Sequence, residues 1–414
     1  MKYTLEDITL NIVDGVHGDC DPQDDSGFYF ISVKDMEGDH IQYDGARQIT
    51  HEAYREAHKR TRLESGDVLF ANTGDTIGKM LLATPESVRL GQTTFQKSIA
   101  LLKPNLDFVT VDYFYYVIMS NRLLLKKAAV GSGQKNLLLS DMRPFVVEII
   151  SDKGKQEEIV RYGKAIDRKI TLNNTINTEL EKVAKLLYEY WFVQFDFPNA
   201  EGKPYRASGG EMVYNELLKR EIPKEWKVVP LNKVMAESKR ALPDDADKDG
   251  MFGLDLSIMP SNSMCLNQRG SASDFDSNRF QLSKYDLLFG SIRPYLRKAG
   301  FSAFDGVVNG TIMNFHCKSA QDYSFALCTL ISEGIFQYAD TRSRGNGTRM
   351  PTINATELLD YTFVYDKEMA KAFNKQVSQY WKLIADNINQ NYELTALRDF
   401  LLPLLMNGQV KVCG

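Results

Sequence analysis

Gly74-Asp-Thr-Ile-Gly-Lys79 sets two glycines ahead of a lysine, the ingredients of a loop that wraps backbone amides and an ammonium around phosphate. The match breaks at two points. Three residues separate the glycines where four are needed, and Met80 stands where a Ser or Thr hydroxyl would hold magnesium. Asp196, Glu201 and Lys203 have the spacing of a nuclease's carboxylate and lysine set, but they sit at a helix end beside a Gly-rich segment, without strands to fix them. Methyl transfer to a flipped adenine would need an Asn-Pro-Pro-Phe or Asp-Pro-Pro-Tyr run, and the sequence has neither, nor a G-x-S-x-G elbow. His51 and His58 stand seven apart and can share a helix face, yet no Cys or carboxylate set completes a metal site. The five cysteines (Cys20, Cys265, Cys317, Cys328 and Cys413) are scattered without a C-x-x-C pair and read as free thiols.

Cationic residues supply the other candidate chemistry. Arg47, Arg55, Lys59, Arg60 and Arg62 cluster ahead of the apolar run from Asp67 to Phe70, and Lys79 follows it. Arg293, Arg297 and Lys298 lie in the segment after a second such run, where arginines can reach guanine edges or phosphates. Arg342, Arg344 and Arg349 flank Gly345 and Gly347 as Lys135 flanks Gly133, and glycines there allow the backbone to approach phosphate. The competing reading is a solvated charged face and ordinary tight loops. A net charge of −4 argues mildly against nucleic acid as partner, but the total does not report local basic surface.

The elements that would hold these residues form a repeat. At 414 residues, 43% apolar and 25% charged, the chain has the composition of a folded protein of two domains. The opening MKYTLEDITL has no basic region followed by an apolar stretch, and no apolar run approaches the roughly 20 residues of a bilayer span, so a soluble, cytoplasmic chain is expected. Gly131-Ser-Gly-Gln-Lys-Asn-Leu-Leu-Leu-Ser140 returns as Gly345-Asn-Gly-Thr-Arg-Met-Pro-Thr-Ile-Asn354, an offset of 214 (345 − 131) that is expected to hold onward without a gap, through Asp152 and Asp366 to Leu187 and Leu401. Upstream, Leu63-Glu-Ser-Gly-Asp-Val-Leu-Phe70 resembles Leu282-Ser-Lys-Tyr-Asp-Leu-Leu-Phe289 with an offset of 219 (282 − 63), each a strand entering a turn and a second strand. The openings Tyr3-Thr-Leu-Glu-Asp-Ile8 and Val229-Pro-Leu-Asn-Lys-Val234 match loosely.

The expected organisation is a first domain at 1–151, a helix at 152–198, a linker at 199–224, a second domain at 225–365 and a second helix at 366–411. The linker is rich in Gly and polar residues, with a short helix expected over Glu211–Arg220. In the first long helix the apolar seam runs Ile159, Gly163, Ile166, Ile170, Asn173, Asn177, Leu180, Ala184, Leu187, Trp191, and in the second Phe373, Val377, Tyr380, Ile384, Asn387, Asn391, Leu394, Arg398, Leu401, Leu405. Buried Asn fixes register, because only another polar group opposite satisfies it. Antiparallel pairing within the chain brings Asn173 and Asn177 opposite Asn387 and Asn391; pairing between two chains is the alternative. The fold class is α+β, two mixed α/β domains each followed by a long helix, the helices pairing as an antiparallel coiled coil. Such a rod, about 50 Å for about 35 residues, can hold two domains over half-sites about one duplex turn apart. Trp191, Phe192, Phe195 and Phe197 read as core where the first helix meets the rest of the chain.

With Gly131-Ser-Gly-Gln-Lys-Asn136, Lys169-Ile-Thr-Leu-Asn-Asn-Thr-Ile-Asn177, Trp191-Phe-Val-Gln-Phe-Asp-Phe-Pro198, Phe289-Gly-Ser-Ile-Arg-Pro-Tyr295 and Leu402-Pro-Leu-Leu-Met-Asn-Gly-Gln409, nearly the whole chain resembles the specificity subunit of type I restriction-modification systems. The resemblance implies two target-recognition domains, each reading half of a split double-stranded DNA sequence in the major groove, on a helical platform for two DNA adenine methyltransferase subunits, with motor-nuclease restriction subunits added for cleavage. The aromatic run from Trp191 would then be part of the methyltransferase contact. S-adenosylmethionine, ATP and magnesium would belong to those partners, leaving this subunit non-catalytic and without a cofactor of its own. A two-domain coiled-coil adaptor that binds no DNA is the alternative from another class; it explains the acidic total but not basic, glycine-flanked loops at matching places in both repeats.

Overall fold

The strand that opens each half of the chain is tied to the strand that closes it. Lys2–Thr4 pairs antiparallel with Val146–Glu148, and Lys227–Pro230 pairs in the same way with Thr362–Tyr365. In the computed structural model, which describes residues 1–131, 135–243, 249–275, 279–344 and 350–410, the chain forms two compact units. One holds residues 1–168 and the chain from Leu394 onward, the other Lys169–Glu393.

In the first unit an antiparallel sheet has the spatial order Thr9–Asp14, Ile99–Pro104, Val68–Ala71, Met80–Leu82. Side chains alternate across a pleat. Val68, Phe70, Ala100 and Leu102 therefore enter one apolar cluster, and Leu69, Ala71, Ile99 and Leu101 enter another. Burial on both faces is the reason these strands read as unbroken apolar runs. Beside them Tyr29–Ile31 runs parallel to Thr93–Phe95. The second unit repeats the plan with Met235–Glu237, Ile312–Cys317, Leu287–Gly290 and Ala299–Ser302, adds Cys265–Leu266 at the edge, and sets Phe252–Leu254 parallel to Gly306–Asn309. The copies part ahead of the shared turn. The first builds a helix, His51–Thr61, capped by the Thr50 side chain, where the second builds the strand Arg279–Leu282.

The 219-residue offset is structural. Gly66 N donates to Ala83 O at 2.8 Å and Tyr285 N to Ser302 O at 2.8 Å; Glu64 N donates to Asp67 Oδ2 and Ser283 N to Asp286 Oδ2, both at 2.8 Å. Each buried carboxylate also meets a cation, Lys103 for Asp67 and Arg240 for Asp286. Burial pushes the Asp67 carboxyl above its ordinary value, against the pull of Lys103.

The 214-residue offset does not run unbroken through the repeat. Leu137 N donates to Asn72 O and Ile353 N to Ser291 O, an offset of 216 (353 − 137), which persists through the closing strands. It becomes 214 only at the helix starts, where Asp152 Oδ1 accepts from Lys155 N and Asp366 Oδ1 from Met369 N. The first copy has two more residues between strand and helix, so the expected offset of 214 falls two short from Leu137 to the closing strand. The expected helix at Glu211–Arg220 is instead a hairpin, Met212–Asn215 against Arg220–Pro223. Its Ile222 is buried in the second unit's core, and Lys219 takes the left-handed turn position with φ 51°.

The long helices are Lys153–Tyr188, 36 residues, and Lys367–Met406, 40 residues. In the second unit they run antiparallel. Asn387 Nδ2 donates to Asn177 Oδ1, Asn173 Nδ2 to Asn391 Oδ1 and Asn391 Nδ2 to Asn174 Oδ1, all at 2.8 Å. In the first unit Arg398 Nη1 lies 2.6 Å from Asp167, and Arg122 reaches Asp399. There Gly163 admits the Tyr116 ring so closely that an added Cβ would stand 2.6 Å from it, while Tyr116 donates to Asp167 at 2.5 Å. A π-helical turn at Glu189–Val193 follows the first long helix. Trp191, Phe192, Phe195 and Phe197 are buried in the second unit, where Phe192 meets Trp226, Phe325 and Phe373. The chain's own core claims this run, which leaves those rings no surface for a partner.

Two outcomes follow. Asn387→Leu leaves the buried Asn177 carbonyl without its donor and should cost about 1–3 kcal/mol, most of it recovered in the Asn177→Leu/Asn387→Leu double variant. A denaturant double-mutant cycle reads this, and a double variant as unstable as the sum of the singles would show the two amides uncoupled. Gly163→Val, which overpacks against Tyr116, should lower stability by about 1–3 kcal/mol in the same assay.

Candidate nucleic-acid interface

The basic residues marked out in the sequence are not equivalent once placed. In the first unit Arg47 is held by Asp19 at 2.8 Å and by Cys20 O at 2.7 Å. Lys59 pairs with Glu56, and Arg60 with Asp14. Arg55 and Arg62, from the same helix and its cap, are exposed, and their side chains have no hydrogen bond or ion pair among the described residues. Arg62 is the helix's left-handed cap, with φ 45°. Lys135 is exposed too, its carbonyl accepting from Gly74 N while its ammonium stays without a partner among the described residues.

Lys79 and Lys298 are one position in the two copies, and both ammoniums turn onto the backbone. Lys79 Nζ donates to Val33 O at 3.4 Å and Lys298 Nζ to Leu256 O at 2.6 Å. Burial lowers the pKa of Lys298. These lysines tie the loop's foot to the strand beside it.

Between the turn strands each copy carries a short loop. In the first it is Gly74-Asp-Thr-Ile-Gly78, with φ of 69° at Gly74 and 95° at Gly78. At an offset of 219 (293 − 74; 297 − 78) the second copy has Arg293-Pro-Tyr-Leu-Arg297, with φ of 52° and 54° at the two arginines. The hydrogen bonds correspond: Gly74 N donates to Lys135 O and Arg293 N to Pro351 O, Ile77 N to Gly74 O and Leu296 N to Arg293 O. The left-handed region suits glycine and costs a residue with a Cβ about 1–3 kcal/mol. Arg297 is bound to Glu333 at 2.7 Å, and Arg297 with Gln337 holds the Glu333 carboxyl below the usual carboxylate range. Arg293 is exposed, and its side chain has no hydrogen bond, ion pair or ring contact among the described residues. Tyr295 and Leu296 are exposed beside it, at 48% and 38%. The first copy's loop is not cationic; Asp75 and Thr76 are exposed at its tip, and Lys126 caps the Asp75 carbonyl.

Arg344 pairs with Asp340 at 2.8 Å, and Arg342 lies over the Tyr338 ring. Arg349, Gly133, Gly345 and Gly347 lie outside the described residues, so the glycine loops have no geometry to set against the sequence. The nuclease-like set resolves into turns: Asp196 Oδ1 accepts from Ala207 N at 2.7 Å, and Lys203 pairs with Glu201 in the open. Among the described residues no group of His, Cys, Asp and Glu could hold a metal ion, and no helix is long and apolar enough to cross a membrane. Cys20, Cys265, Cys317 and Cys328 are free thiols.

The sequence reading passed over one cation. Arg269 is enclosed by Phe252 at 4.4 Å, Phe304 at 4.7 Å and Tyr392 at 4.4 Å, and donates to Asn389. It clamps the second unit's sheet to its long helix, and its ring partners lie too far off in sequence to announce it.

A family model described as the type I restriction modification DNA specificity domain matches residues 19–182. The MjaIX specificity subunit of a type I restriction enzyme from Methanocaldococcus jannaschii is 24% identical over 382 residues, 89% of this chain and 83% of the relative. The HindI specificity subunit from Haemophilus influenzae is 21% identical over 469 residues, spanning 99% of each chain. The crystal structure of a type I S subunit from M. genitalium shares the fold at a TM-score of 0.50 and 12% identity, over 100% of this chain and 96% of that one. With the family model over the first copy and most of the first long helix, and two relatives along most of the length, the chain is similar to the specificity subunits of type I restriction-modification systems.

Proposed function

We propose that this chain is the non-catalytic reader of a type I complex, each unit reading one half of a split double-stranded DNA target. The observation that carries the reading is a repeated scaffold whose copies agree in turn, sheet and helix start but present different exposed cations. Sequence is read by base-edge contacts, and register by contacts to phosphate. A shared scaffold with divergent tips suits one lattice of phosphates and two different sets of bases. Arg55 and Arg62 in the first unit and Arg293 in the second are the proposed contacts, with Lys135 beside the first loop. The long helices are the proposed platform for two DNA adenine methyltransferase subunits, with motor-nuclease subunits joining for cleavage. S-adenosylmethionine, ATP and magnesium are assigned to those partners, and no cofactor to this chain.

Methylome sequencing of cells carrying this chain and its methyltransferase, with and without the gene, should show N6-methyladenine at one bipartite motif that vanishes with the gene; persistence of every split motif would reject the reading. Exchanging residues 1–151 for the first recognition domain of another specificity subunit should change one half of the motif and leave the other. Arg55→Ala and Arg62→Ala should each reduce the slope of log affinity against log salt by about 1 if they meet phosphate, whereas Lys298→Met, whose ammonium is held by Leu256 O, should leave that slope unchanged.

A further inference from the structure

The repeat supplies a comparison within one molecule. Two backbone sites that demand the left-handed conformation are glycines in the first copy and arginines in the second, although glycine meets the same geometry without strain. The two arginines differ in their engagement. Arg297 is spent on Glu333 at the foot of the loop, and Pro294 fixes the backbone beside Arg293, whose exposed guanidinium meets no group among the described residues.

We propose that Arg293 reads a base edge in the second half-site, with Arg297 and Glu333 as the pair that positions its loop, and that the first half-site is read by a non-equivalent element, the His51–Thr61 helix with its cap Arg62. This deepens the proposed DNA reading and rests on it. A phosphate contact needs charge in roughly the right place, and an arginine at an unstrained neighbouring position supplies that. A bidentate grip on the O6 and N7 of guanine needs a planar fork at a fixed angle. Holding the residue in a disfavoured backbone state fixes the direction in which the fork leaves the loop, and such strain persists where direction serves a function. The first copy's loop, with Asp75 and Thr76 exposed at its tip, offers no cation to a guanine edge, while its unit exposes the Arg55 and Arg62 side chains on a helix and its cap, where the described residues of the second unit form the strand Arg279–Leu282.

The test uses the complex of this chain with its methyltransferase subunits, bound to duplexes carrying the methylome motif and to duplexes with each base pair changed in turn. Arg293→Gly keeps the loop's conformation and should hold or raise the thermal midpoint. It should cut discrimination at one guanine of the second half-site roughly 10- to 100-fold, leaving the first half-site as sharp as before. Arg293→Lys keeps the charge and should lose the same discrimination with an unchanged salt slope. A uniform loss across all duplexes with a shallower salt slope would make Arg293 a phosphate contact and overturn the proposal, as would a Gly variant that discriminates like the parent. A parent complex with no bipartite preference at all would instead remove the DNA reading on which the proposal stands.

Discussion

An amide buried in the seam between two helices is satisfied only by another polar group opposite it, and that requirement sets where the two long helices stand along each other. Asn177 and Asn387 are among the buried residues of the second unit, and they meet. One turn away Asn173 meets Asn391. A slip by a turn in either direction would keep one asparagine pair facing but take the other asparagine of each helix from its partner, at a cost of about 1–3 kcal/mol for each buried group left unmet. Apolar seam residues tolerate such a slip far better, so the asparagines specify an alignment that packing alone would leave degenerate. Within the first unit Asp167 and Arg398 impose a similar demand through charge.

The second constraint is the turn that opens each inner hairpin. In both copies a carboxylate folds back onto the backbone amide three residues before it and meets a cation, Lys103 from the neighbouring strand in the first and Arg240 beyond a strand's end in the second. Lys79 and Lys298 then anchor the next loop to a carbonyl. With the scaffold secured in this way, the loop tip and the element preceding the turn are free to differ. They do: a helix in one copy and a strand in the other, glycines in one loop and strained arginines in the other.

Much of this was legible in the sequence, for identifiable reasons. The helices and their facing asparagines follow from a seam repeated at a single offset, and the inner hairpins from apolar runs buried on both faces. The hairpin at Met212–Pro223 was misread because Asn-Glu-Leu-Leu-Lys-Arg is good helix-forming composition, and a turn residue with φ 51° at Lys219 carries no glycine to betray it. The strained arginines were invisible for the same reason, since a left-handed site is normally announced by Gly. Only the structural alignment with Gly74 and Gly78 exposes them. The change of offset from 216 to 214 is hidden in the sequence, because the two extra residues of the first copy fall between the closing strand and the long helix and carry no signal of their own. Arg269 could not have been found, its cage being assembled from Phe252, Phe304 and Tyr392.

A scaffold duplicated within one chain, its long helices registered by paired asparagines and its tips divergent, suits a reader of two unlike half-sites. Selection from a library of random duplexes by the intact complex examines this most directly. The expected product is two short fixed blocks of sequence separated by a spacer of constant length and arbitrary bases. A single contiguous block, or no enriched sequence, would contradict the assignment of one half-site to each unit.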